Sequence, residues 1–96
     1  MLTPVHQPLI NRSGSITTGG TAQDVYGPAD APKYYVHFRN ISDTDMTIDF
    51  DAVAVADRGI LVKAGEAFEP PAGIMFKGKL SVLCASTGKK FVCKTA

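Results

Sequence analysis

The 96-residue sequence has no tryptophan, two cysteines, two histidines and no apolar run longer than Ala52 to Ala56. Five apolar residues are far short of the roughly 20 that cross a bilayer as a helix, so no transmembrane helix is expected. The opening Met1-Leu2-Thr3-Pro4-Val5-His6-Gln7-Pro8 lacks a basic and then an apolar region. It therefore predicts a soluble protein made in the cytoplasm. Two cysteines without a CxxC knuckle or a neighbouring histidine do not make a tetrahedral zinc shell. Gly14 to Thr21 has the spacing of a phosphate-binding loop, but Gly20 stands where the phosphate-reaching lysine belongs. With a formal net charge of +1, the chain has no bulk attraction to nucleic acid or to an anionic membrane.

What is present is a globular composition, 45% hydrophobic and 20% charged, enough for one small core. Residues 1–14 hold two prolines and no apolar period, and read as an extended N-terminal arm. From Ser15 to Ala96, short runs of β-branched and aromatic residues alternate with Gly, Pro, Asp and Ser clusters. That spacing predicts a single all-β domain, a small antiparallel β-sandwich of jelly-roll-like or immunoglobulin-like order. The expected strands are 15–18, 21–26, 33–40, 46–51, 53–56, 59–63, 67–69, 73–76, 79–85 and 90–94.

Alternation assigns faces. In Tyr34 to Arg39, Tyr34, Val36 and Phe38 point one way and Tyr35, His37 and Arg39 the other. Met46 to Asp51 repeats the pattern, and a three-residue loop Ser42-Asp43-Thr44 would set Phe38 opposite Ile48 and His37 opposite Asp49. A turn at Gly88-Lys89 would likewise place Cys84 across from Cys93, and two buried free thiols are expected there rather than a strained bridge.

Oxygen side chains recur through Asp43, Asp45, Asp49 and Asp51, the one candidate Ca²⁺ set. Ile48 occupies the position of the turn glycine and Ala54 that of the closing bidentate glutamate, so an acidic outer strand face is the stronger reading. His37 and Asp49 could orient a nucleophile, yet no nucleophile motif accompanies them, so no catalytic residue and no cofactor is expected. Tyr35, His37 and Arg39 remain as a polar-aromatic face for a ligand or partner. Charge is uneven: residues 20–57 carry seven aspartates against Lys33 and Arg39, and residues 58–96 carry seven lysines and arginines against Glu66 and Glu69. Copies could meet acidic surface to basic surface, or the halves could interleave and cancel.

The order Ile16-Thr17-Thr18-Gly19-Gly20-Thr21-Ala22-Gln23, the strand end Arg39-Asn40-Ile41-Ser42, Gly59-Ile60-Leu61-Val62 with Ala64-Gly65-Glu66, and Leu80 to Phe91 resemble small β-sandwich structural proteins of tailed bacteriophage virions. The resemblance covers about residues 15–94 and rests on turn chemistry and strand order. It departs from the pattern at Cys84 and Cys93, where small apolar residues belong. It implies a non-enzymatic head decoration or cement protein, or a related adaptor, made in the bacterial host cytoplasm and resident in the virion. The implied partners are other copies, as a homotrimer, and the major capsid protein, with no nucleic acid and no membrane. A host-surface or glycan-binding module of a tail or fibre, Ca²⁺-assisted, is the alternative.

Overall fold

The computed structural model describes residues 8–96. Its strands are β1 (Ile10–Asn11), β2 (Gly14–Ser15), β3 (Gln23–Tyr26), β4 (Val36–Asn40), β5 (Met46–Phe50), β6 (Ile60–Val62), β7 (Ala67–Phe68), β8 (Leu80–Cys84) and β9 (Lys90–Thr95), with a single 3₁₀ turn at Pro28–Asp30 among the described residues. One sheet runs β1-β9-β4-β7 with β2 also on β9, and the other runs β3-β8-β5-β6. Every pairing is antiparallel. The protein is thus a small β-sandwich, and because β1 and β2 meet β9 in one unbroken register, they act as a single edge strand. Eight strands remain, and each connection except β5 to β6 crosses from one sheet to the other. This is the strand order of a jelly roll.

Two predicted hairpins are corrected by this order. β4 pairs with β9 and β7, while β5 pairs with β8 and β6, so Phe38 stands opposite Cys93 and Ile48 opposite Val82. Both side chains are fully buried as alternation requires, but they come from facing sheets. β8 and β9 also part company: Cys84 lies beside Met46 in one sheet and Cys93 beside Phe38 in the other, and both thiols are free and buried. The described part of the predicted arm, residues 8–14, runs along β9 as an edge, with Ile10–Asn11 and Gly14 in strand. There the Arg12 amide donates to the Cys93 carbonyl at 2.7 Å and the Cys93 amide to Ser13 Oγ at 3.0 Å. Residues 1–7 of the arm, with His6, lie outside the described residues. The expected strands 53–56 and 73–76 are loops. Ala54 is buried because its amide donates to Ser81 Oγ at 3.0 Å, folding the β5–β6 loop over the outer side of the β3-β8-β5-β6 sheet.

At two of the corners between sheets a polar side chain fixes the crossing. At the first, the Gln23 side chain accepts from the Thr17 amide at 2.8 Å and donates to the Ser15 carbonyl at 3.0 Å. Gly19 sits so close to the return path that an added Cβ would lie 2.5 Å from the Ala85 carbonyl oxygen. At the second, Asn40 is completely buried. Its amide group donates to the Thr44 and Val62 carbonyls at 2.7 and 3.0 Å, and its oxygen accepts from the Ser42 amide and hydroxyl at 3.0 and 2.7 Å. Its own backbone pairs with Gly65 and Glu66, so one residue secures both the β4–β5 and β6–β7 crossings.

Between the sheets lie Ile16, Val36, Phe38, Met46, Ile48, Val62, Leu80, Val82, Phe91 and the two cysteines, each at most 3% exposed. Burial of each large member stabilises by about 1.5–3 kcal/mol. Phe38 and Phe91 stack at a centroid distance of 5.3 Å, and Phe68, opposite Phe38 on β7, joins Phe50 and Phe76 in a second cluster, with Phe50 and Phe76 at 4.6 Å.

Replacing Asn40 with Ala leaves buried carbonyls and amides unpartnered, and is expected to lower unfolding stability by about 2–4 kcal/mol in a urea titration. The half-exposed Ser42→Ala should cost less than half as much. Burial also pushes the Cys93 thiol up to about 12, against a smaller opposing effect of Arg12. Its folded-state value lies above the unfolded one, so this contribution is intact below about pH 9 and is lost as pH rises toward 12. Thermal melts across that range should fall with pH, and Cys93→Ala should make the fall shallower.

Candidate functional site

Along β4 the inward residues Val36, Phe38 and Asn40 are buried, which sends His37 and Arg39 outward. Register then assembles the outer face of this sheet. Lys94 stands opposite His37, Val92 and Ala67 flank Arg39, and Lys90 lies opposite Ser15. The predicted trio is therefore on one face, with Tyr35 and His37 rings parallel within 3° at 6.4 Å. The expected partner of His37 is replaced: Glu69, not Asp49, stands 3.7 Å from its Nδ1, because β7 rather than β5 is the neighbour. Sequence carried no signal for Glu69, since the β4–β7 pairing spans about thirty residues and follows from the sheet crossings alone.

Tyr34 was expected to point inward and is 58% exposed. The ladder begins only at Val36, and the amides of Lys33, Tyr34 and Tyr35 converge instead on the Ala96 carbonyl at 2.8–3.1 Å. Tyr34 and Tyr35 face the segment Pro70 to Met75 across a shallow groove of about 360 Å³, with Glu69 at its wall. Desolvation, then a hydrogen bond to Glu69 and its negative charge, raises the Tyr35 phenol above its ordinary value.

The four aspartates do not converge, and among the described residues no three acidic, histidine or cysteine side chains stand together as a metal shell. Each has separate work. Asp43 meets Lys89 at 2.7 Å, and hydrogen bonding to Lys89 and Thr44 lowers its carboxyl below the usual range. Asp45 accepts from the Ala64 amide at 3.0 Å, Asp49 from the Phe50 amide at 2.9 Å, and Asp51 takes a positive φ of 61° against Gly78. The predicted acidic strand face is present: Asp24 and Asp49 flank Ser81 on the outer side of the β3-β8-β5-β6 sheet.

The charge halves of the sequence interleave in part: Lys63 and Lys79 lie on the same sheet as Asp24, Asp45 and Asp49, while Lys90 and Lys94 lie on the other. Arg39, Lys90 and Lys94 share one outer face with Glu69, and Asp24, Asp45 and Asp49 occupy the other. Both cysteines point into the core, away from His37. The arrangement can hold a polar partner on a broad surface or a small ligand in the tyrosine groove. No family model matches the sequence, and no curated relative and no solved structure matches it either. No described helix is long and apolar enough to cross a membrane.

Glu69→Gln removes the charge and weakens the hydrogen bond that hold up the Tyr35 phenol. In an alkaline titration followed at the Tyr35 ring by NMR, the midpoint should move down toward the ordinary tyrosine value; an unchanged midpoint would separate the two groups.

Proposed function

We propose that this chain is a non-enzymatic structural protein of a tailed-phage virion, a head decoration or cement protein that binds the major capsid protein in many copies as an oligomer. The observation that carries the reading is the jelly-roll strand order, an architecture that shell-building proteins use because two flat faces and paired corners present large rigid surfaces. Oppositely charged outer faces support it, since electrostatic complementarity fixes orientation in a lattice of repeated contacts. The turn and strand-end residues quoted above add the resemblance to virion proteins. In this reading the polar outer face around Arg39, Lys90 and Lys94 meets neighbouring protein, and the virion is where the protein resides.

The tyrosine groove favours one second reading, a glycan-binding module of a tail or fibre. Aromatic rings beside a carboxylate suit the apolar and hydroxyl faces of a sugar.

Co-sedimentation with heads of the phage that encodes this chain tests the first reading. The expected result is saturable binding at a fixed number of copies per head; absence of binding to heads, with retention on a glycan array, would replace it by the second. Tyr35→Ala is expected to leave head binding within about twofold and to abolish any sugar binding.

A further inference from the structure

We infer that the two outer faces of the sandwich dock onto each other between copies: the β1-β9-β4-β7 face of one molecule onto the β3-β8-β5-β6 face of the next. This rests on the oligomeric part of the reading above, and goes beyond it by naming both surfaces. The donor face carries Arg39, Lys90 and Lys94 around a half-buried Val92 and an Ile41 that is 50% exposed. Glu69, beside Tyr35 and His37, is the carboxylate that register puts on this face among the described residues, so the three cations stay in excess.

The acceptor face is its counterpart. Register aligns Leu61, Thr47 and Leu83 in one outward row, with Leu61 53% exposed on the edge strand β6. Asp49 and Asp24 lie in the adjacent row and Asp45 precedes Thr47 on the same strand. The folded-over β5–β6 loop adds Asp51, Asp57 and the exposed Val53 and Val55. Cations are present too: Lys79 holds Asp24 at 3.6 Å, Arg58 lines a hollow with Asp49, and Lys63 follows Val62. Carboxylates still outnumber them, so this side stays negative where the first is positive.

An apolar row rimmed by charge of one sign is the anatomy of a protein contact, and each face offers what the other lacks. Like faces repel, which disfavours a two-fold contact of either face with itself. The pairing is therefore heterologous, and such contacts close into rings when the rotation allows. A second copy is the occupant that satisfies both surfaces at once.

The test is sedimentation velocity over a tenfold concentration range with three proteins. Wild type should associate head to tail, as a ring or an open stack, into species larger than the monomer that weaken as salt is raised. The double variant Arg39→Glu with Lys94→Glu should be monomeric, and so should Leu61→Asp; all three positions are on the surface, and circular dichroism checks that each variant folds. Mixed in equal amounts, the two variants should give a one-to-one dimer, since each retains the face the other needs, and go no further. A wild-type monomer at every concentration, variants that keep the wild-type mass, or a mixture that stays monomeric would each overturn the inference. Head binding by a wild-type monomer would sink the face pairing and leave the virion reading intact, whereas a wild-type oligomer that ignores heads would do the reverse.

Discussion

The hydrogen bonds of the buried Asn40 side chain are the constraint on which this sandwich most depends. A jelly roll asks the chain to leave one sheet and enter the other at nearly every turn, and each crossing exposes backbone groups that a sheet ladder would have paired. The Asn40 side chain satisfies three such groups at one point, with the Ser42 hydroxyl as a fourth partner, drawing together Ser42, Thr44 and Val62 while its own backbone pairs with Gly65 and Glu66. An amide side chain is suited to this because it donates twice and accepts twice within one planar group. Gln23 performs the matching task at the other corner with one donor and one acceptor used. With these crossings fixed, the inward residues of the two sheets meet in one core.

The relation between sequence and fold follows from that geometry. Alternation of period two fixes which side of a strand is apolar and is silent on which strand lies beside it. Val36, Phe38, Met46, Ile48, Leu80, Val82, Phe91 and Cys93 were all legible as inward residues, and all are buried. The hairpins inferred from the same residues, β4 with β5 and β8 with β9, satisfy the alternation equally well, because two facing strands and two adjacent strands both bring apolar sides together. What separates the cases is the connection. The segments 41–45 and 85–89 are long enough to span the gap between sheets, and the corner hydrogen bonds that make them do so involve residues distant in sequence. In the sequence Asn40 reads only as part of a strand end.

The candidate site shows the same division. Tyr35, His37 and Arg39 were readable as one outward face from their spacing, and the structure keeps them together. Their true neighbours, Glu69 and Lys94, come from β7 and β9, whose pairing with β4 is a property of the whole topology. The aspartate run was legible as an acidic strand side, and its members are spent on separate backbone amides and a lysine. The uneven charge distribution gains its meaning from the crossings, since basic residues of the late strands and Arg39 of an early one end on the same surface.

In the proposed reading the working surface is the two outer sides of the sandwich, and the groove at Tyr34 and Tyr35 borders one of them through Glu69. Lysine labelling with isotope-coded reagent, comparing assembled particles with the free protein, tests that claim most directly. The account predicts that Lys90 and Lys94 lose reactivity on assembly while Lys33, at the groove, and Lys77 keep theirs. Protection of Lys33 and Lys77 with Lys90 and Lys94 still reactive would contradict it, and would move the function to the groove.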